Sequence, residues 1–258
     1  MTLVLLAAVL LACGVGWSLN HDLDWAAGAS SNSDQHTYSR ILTDGRTFLL
    51  HVGPRSATPE PLVVALHSAG HSATQMESTG LSRFADKHHF VVVYGEGLGL
   101  DWNAGGCCGT DDADDVAYLS QVVAATEQLT PIDRARVYVI GMSNGAMMAY
   151  RAVCEEPQIF AAAGVVAGAL MPGVHCSHTT IHVVEIHGTA DRSVPLAGGV
   201  GFEHVRFPAQ STGLSRVGPG SSIALRTWPG GHAYPSWANA TVWKGIQGFR
   251  LTGSAIPG

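Results

Sequence analysis

In Arg136-Val137-Tyr138-Val139-Ile140-Gly141-Met142-Ser143-Asn144-Gly145-Ala146-Met147-Met148-Ala149-Tyr150-Arg151 the chain passes from strand to helix within a few residues. Residues 136–140 read as a buried strand and residues 146–151 as a helix. Between them lies Gly141-Met142-Ser143-Asn144-Gly145, a match to G-x-S-x-G. A sharp strand-turn-helix needs small residues two before and two after the serine, or backbone and side chain collide. The same turn lifts the serine oxygen above the sheet at a helix N-terminus. Ser143 is therefore the candidate nucleophile. The plainer reading is a structural turn with a capping serine.

Working outward, the strand signature recurs. Residues 62–66, 90–94, 137–140 and 181–186 are short unbroken apolar runs, as expected of strands covered on both faces, and 223–227 is a weaker example. Helix-like stretches lie between them at 75–88, 114–128, 145–154 and 240–249. Upstream, 36–42 and 46–52 flank Thr43-Asp44-Gly45, a strong hairpin signal. The pattern predicts an α/β fold. It has a mostly parallel central sheet, helices on both faces and an antiparallel N-terminal hairpin.

A serine hydroxyl needs a base beside it. In this class of fold an acid and a histidine follow the serine in that order, on loops at the C-terminal ends of strands. His187-Gly188-Thr189-Ala190-Asp191 follows the run ending at 186, and Trp228-Pro229-Gly230-Gly231-His232 follows the last strand. Asp191 is the candidate acid and His232 the candidate base; the competing readings are a turn-forming Asx residue and a surface histidine. The oxyanion needs two donors. One is the backbone N–H of Asn144. The other falls in His67-Ser68-Ala69-Gly70, at Ser68 or Ala69, with His67 positioning the loop. Asp114 and Asp115 sit at a helix start and read as capping residues.

Composition narrows the rest. With 258 residues, 46% of them apolar, one α/β domain is expected. The net charge is -6, only 13% of residues are charged and no Lys/Arg run occurs, which argues against nucleic acid as a partner. Residues 1–13 resemble a signal segment, with a lipobox-like Leu10-Leu11-Ala12-Cys13 but no basic residue before it. A lipidated Cys13 would tether the chain to a membrane. Residues 14–35 read as a flexible tether and 36–258 as the catalytic domain. The location expected is secreted, lipid-anchored to a bacterial surface if Cys13 is modified.

Cys107, Cys108, Cys154 and Cys176 then form an even set, which in an exported chain suggests disulfides. A bond between adjacent Cys107 and Cys108 requires a strained eight-membered ring, so the expected arrangement joins this pair to Cys154 and Cys176, in an order left open. Four free thiols are the alternative. A metal site lacks the usual ligand spacing, so no metal or other cofactor is expected. Trp102, Trp228 and Tyr234 are candidates to line a substrate pocket, or simply to cover the core.

Read together, the 66–70, 102–109 (Trp102-Asn103-Ala104-Gly105-Gly106-Cys107-Cys108-Gly109), 114–116, 141–146, 187–191 and 230–232 motifs resemble the polyhydroxybutyrate depolymerase and feruloyl esterase family. The likeness is strongest to its actinobacterial lipoprotein esterases. That resemblance implies an α/β-hydrolase with a Ser143/Asp191/His232 triad and no cofactor. It also implies action on acylated plant polysaccharide, hydroxyalkanoate polyester or small acyl esters, by a chain expected to be a monomer. Two features depart from the family pattern: His67-Ser68 stands where His-Gly is usual, and 206–222 is short. Other readings are a serine peptidase or acyltransferase on the same triad, or a catalytically inert surface-binding lipoprotein.

Overall fold

In a computed structural model of the chain, residues 36–54, 56, 58–108 and 112–252 are described. The signal-like segment and the tether lie outside them. Eight strands form one sheet: β1 (Thr37–Ile41), β2 (Thr47–His51), β3 (Glu60–Leu66), β4 (Val91–Gly95), β5 (Ile132–Met142), β6 (Ala162–Val166), β7 (His182–Gly188) and β10 (Ser222–Trp228). Their spatial order is β1-β2-β4-β3-β5-β6-β7-β10. The β1–β2 hairpin and the β2–β4 pair are antiparallel, and every pair from β4 to β10 is parallel. Two short strands, β8 (Gly199–Val200) and β9 (Arg206–Phe207), form a separate antiparallel pair.

The apolar run of β3 shows why the sheet is covered twice. Successive side chains point to opposite faces. Leu62, Val64 and Leu66 join one core with Val116, Leu119 and Met147, on helices α3 (Asp115–Leu129) and α4 (Asn144–Glu155). Val63 and Ala65 join the other core with Met76, Leu81 and Trp243. Those residues come from α1 (Ala73–Glu77), α2 (Leu81–His88) and α5 (Ala238–Ile246). Each such buried aliphatic side chain contributes about 1.5–3 kcal/mol relative to exposure. A polar residue anywhere in 62–66 would spoil one core or the other.

Some elements differ from the sequence reading. The helix expected over 75–88 is two helices, because the chain turns left-handed at Gly80 (φ 78°) before α2 begins. Strands β6, β8 and β9 were not expected. Among the described residues, no helix is long and apolar enough to cross a membrane.

The cysteine pairing is also corrected. Cys107 bonds to its neighbour Cys108, the peptide between them being cis, and Cys154 bonds to Cys176. The reason for the second pair is spatial. Cys154 lies on the last turn of α4, and Cys176 on the loop beyond β6, with Cα atoms 5.0 Å apart. The paired-cysteine loop is therefore not tied to α4 by sulfur.

Candidate active site

The turn between β5 and α4 is as tight as its glycines allow. A Cβ on Gly145 would lie 2.4 Å from the His67 carbonyl oxygen and 2.5 Å from that of Leu66. Only glycine lets α4 start against the end of β3. Ser143 takes φ 55° and ψ -118°, a conformation that non-glycine residues adopt at a cost and that clusters at functional turns. Its N–H donates to the Val166 carbonyl of β6, fixing the turn from below.

Three side chains from three loops meet there. The Ser143 hydroxyl lies 2.9 Å from His232 Nε2. His232 Nδ1 lies 2.8 Å from Asp191 Oδ2. Asp191 follows β7 and His232 follows β10, strands paired in parallel with Gly188 opposite Trp228. The two loops are stitched together by Thr189 N–H to the Trp228 carbonyl and Ala190 N–H to the Gly230 carbonyl. Because the carboxylate only accepts, Nδ1 carries the proton and Nε2 is left to accept from the serine. Asp191 Oδ1 accepts from the N–H groups of Ser193 and Val194. Burial alone would raise its pKa. Hydrogen bonds from His187 and His232 outweigh that and hold the carboxyl well below the usual carboxylate range.

The 67–71 loop lies against this turn. His67 is buried, donates from Nδ1 to the Ser68 carbonyl, and accepts the Gly97 N–H at Nε2. Burial lowers its pKa from 6.5 to about 4, so it is a neutral spacer between two loops. Ser68 is buried, and its hydroxyl has no partner among the described residues. The backbone N–H of Asn144 is at the first turn of α4, where amides are free to meet an anion.

The aromatic residues expected to line a pocket fare differently. Trp102 is wholly buried and donates from Nε1 to the His67 carbonyl; Tyr234 is buried with its hydroxyl on Asn239. Neither offers a surface to a ligand, because Trp102 is committed to the 67–71 loop and Tyr234 to the start of α5. Trp228 is partly buried and meets Trp237 edge-on. Asp114 caps α3 through the Ala117 N–H, as expected. Asp115 is not the cap: as the first residue of α3 it is fully buried, pairs with Arg46 at 2.7 Å and accepts from the Asn103 N–H, holding two distant segments together.

Sequence reasoning missed a buried polar group behind Asp191. His187 and Glu185, both on β7, face one another, and the Tyr150 hydroxyl of α4 donates to Glu185. The available signal was a glutamate and a histidine two apart inside an apolar strand. It also missed the side chain of Asn144, which bonds Trp102 and Cys107. Among the described residues, no group of three or more His, Cys, Asp or Glu is arranged to hold a metal ion.

Comparison with known proteins places the chain in a family. The profile of the esterase PHB depolymerase family matches residues 46–206. The chain belongs to that family. This esterase PHB depolymerase member is 36% identical over 173 residues to NocK of Nocardia uniformis subsp. tsuyamanensis, which carries an esterase designation. That match covers 63% of the chain and 50% of NocK. It is 26% identical over 204 residues to feruloyl esterase C of Emericella nidulans, covering 74% and 73% of the two chains. The chain thus spans half the length of the first relative and about three quarters of the second. Among solved structures it resembles FphF, a fluorophosphonate-binding serine hydrolase of Staphylococcus aureus. The TM-score is 0.57 at 14% identity, over 79% of this chain and 93% of that one. The fold of this family member is that of an α/β-hydrolase, and the family is one of carboxylic ester hydrolases.

Proposed function

We propose that the protein hydrolyses carboxylic esters by acyl transfer through Ser143. The observation that carries this reading is the continuous pair of hydrogen bonds from Ser143 Oγ to His232, at 2.9 Å, and from His232 to Asp191, at 2.8 Å. In the reaction, His232 Nε2 takes the hydroxyl proton as Ser143 Oγ bonds to the ester carbonyl carbon. The carbonyl oxygen becomes an oxyanion held by the Asn144 N–H and an amide of Ser68 or Ala69. His232 then protonates the leaving alcohol as the ester C–O bond breaks. It next deprotonates a water that attacks the acyl-serine, releasing the acid and restoring Ser143. Asp191 holds the Nδ1–H tautomer and stabilises the imidazolium.

Family membership and the feruloyl esterase relative favour acylated polysaccharide, hydroxyalkanoate polyester or small acyl esters as substrates. Leu98 and Leu100, 48% and 43% exposed, suit an apolar acyl or aryl group, since the Leu100 carbonyl accepts the Gly70 N–H beside the candidate oxyanion loop. Two disulfides fit an oxidising compartment, consistent with a secreted enzyme. Tethering through Cys13 and action as a monomer are part of the same reading.

The test is a panel of acetyl, butyryl, feruloyl and hydroxybutyrate esters, with fluorophosphonate labelling alongside. Ser143→Ala should lose label and about 10^3-fold or more in kcat. A Ser143→Ala protein with near-normal turnover overturns the reading. Intact labelling with turnover of peptides only would move it to a peptidase.

A further inference from the structure

His187 is a second histidine on the acid side of the site, and the oxygens that its ring nitrogens meet belong to a carbonyl and two carboxyl groups. Its ring is 0% exposed, and Glu185, two residues earlier on β7, is 1% exposed. Nε2 lies 2.8 Å from the Val194 carbonyl oxygen and 3.4 Å from Asp191 Oδ2. A carbonyl has no proton to give, so Nε2 must carry one. Nδ1 lies 3.2 Å from Glu185 Oε1, while Glu185 Oε2 accepts the Tyr150 hydroxyl at 2.7 Å. A ring that faces a carbonyl at one nitrogen and a carboxylate at the other makes both hydrogen bonds as the imidazolium. A cation buried between two carboxylates also offsets the cost of burying them.

We propose that His187 is a buried imidazolium, locked by Glu185, that acts as a positioning residue: it pins the Asp191 carboxylate for His232 and sets the lower pH limit of activity. This rests on the reading of Ser143, His232 and Asp191 as the reacting groups. The groups facing His187 are Glu185 on its own strand, Tyr150 from α4, Asp191 from the following loop and, beyond Asp191, His232 from the loop after β10. Burial on its own would lower the His187 pKa; hydrogen bonds to Asp191 and Glu185 overcome it and push the value up to about 9. Asp191 Oδ2 is shared by the two histidines. A cation on one side of that oxygen disfavours a second cation on the other, so losing the His187 charge should move the acid limb of activity upward.

Two variants probe this. His187→Gln removes the cation; Glu185→Gln leaves the imidazole but removes the anion that keeps it charged. Each should raise the midpoint of the acid limb of kcat/KM by about one pH unit, the size expected of losing a close charge. Each should also lower kcat about tenfold with KM little changed, as for loss of an interaction made in the transition state. The double variant should be no worse than the worse single one. Folded single variants whose acid limbs superimpose on the wild type overturn the proposal. Should either fail to fold, nitrogen NMR of the wild-type ring decides the matter without turnover. Both His187 nitrogens should be protonated at pH 7.5 and change only near pH 9. A neutral tautomer at pH 7.5 overturns the proposal. That measurement stands even if the ester reading fails, so the two failures are distinguishable.

Discussion

Asn144 grips Trp102 by both of its backbone polar groups. The Trp102 N–H donates to the Asn144 side-chain oxygen at 2.7 Å, and the side-chain nitrogen donates to the Trp102 carbonyl at 3.0 Å and to that of Cys107 at 2.9 Å. One residue next to the nucleophile therefore holds the loop that carries the paired cysteines, in place of the disulfide to α4 that the sequence suggested. Asn144→Ala keeps the residue 144 backbone N–H but leaves buried groups unpartnered, at about 1–3 kcal/mol each. The expected result is a melting temperature lower by about 6 °C or more and a kcat/KM lower by about tenfold, as for a small misplacement of a supporting loop. A thermal melt identical to wild type would remove the anchoring role.

The close approach of α4 to β3 gives a sharper contrast. In Gly145→Ala the new methyl would press on the carbonyl oxygens of His67 and Leu66, backbone atoms that have nowhere to go. The start of α4 must shift, carrying Ser143 and the Asn144 N–H with it. A displacement near 1 Å costs about 10^2-fold in rate. Gly248→Ala, with nothing within 4 Å of the added methyl, is the control and should leave kcat/KM unchanged. Comparable activity of the two variants in an ester assay would show that the packing at residue 145 does not position the serine.

Much of this was legible in the sequence, for a physical reason. Strands buried on both faces must be apolar throughout, so β3, β4, β5 and β7 announce themselves, and Asp44-Gly45 marks the hairpin. Ser143 and Asp191 could be located because each sits just past such a strand, and His232 because it follows β10, a more weakly marked edge strand. What escaped depended on partners distant in the chain. Strand β6, Ala162-Ala163-Gly164-Val165-Val166, is too small-residued to look like a strand. It is small because α5 packs onto it, Val242 lying where a Gly164 side chain would be. The cysteine pairing and the burial of Trp102 and Tyr234 likewise depend on how loops fold back.

The Cys154–Cys176 bond closes a loop with a sequence separation of 22 and joins α4 to the segment leading into β7. Loop-closure entropy of this size corresponds to about 3 kcal/mol. Replacing both cysteines by alanine should lower the melting temperature by about 6–12 °C, and the wild type in strong reductant should fall toward the same value. Activity at 25 °C should survive, because neither sulfur supports Ser143, His232 or Asp191. Loss of ester hydrolysis in a double variant that remains folded would contradict that separation.

His67 gives the protein an acid sensitivity separate from that of the reacting groups. Burial disfavours its cation and lowers its pKa from 6.5 to about 4, against the hydrogen bond to the Ser68 carbonyl, which acts in the other direction. Accepting the Gly97 N–H at Nε2 requires the same neutral form. A group whose folded value is depressed contributes stability that is complete above its unfolded pKa, and that contribution is lost as the pH falls through the folded one. The window here runs from about pH 6.5 down to about pH 4. Over it the wild type should lose melting temperature steadily. His67→Gln, which cannot titrate, should start lower at pH 7 and fall less steeply, so the two curves converge toward pH 4. The difference between the curves isolates residue 67 from the other titrating groups. Parallel curves would mean that His67 is equally content as a cation, and that the bond from Gly97 does not hold the two loops together.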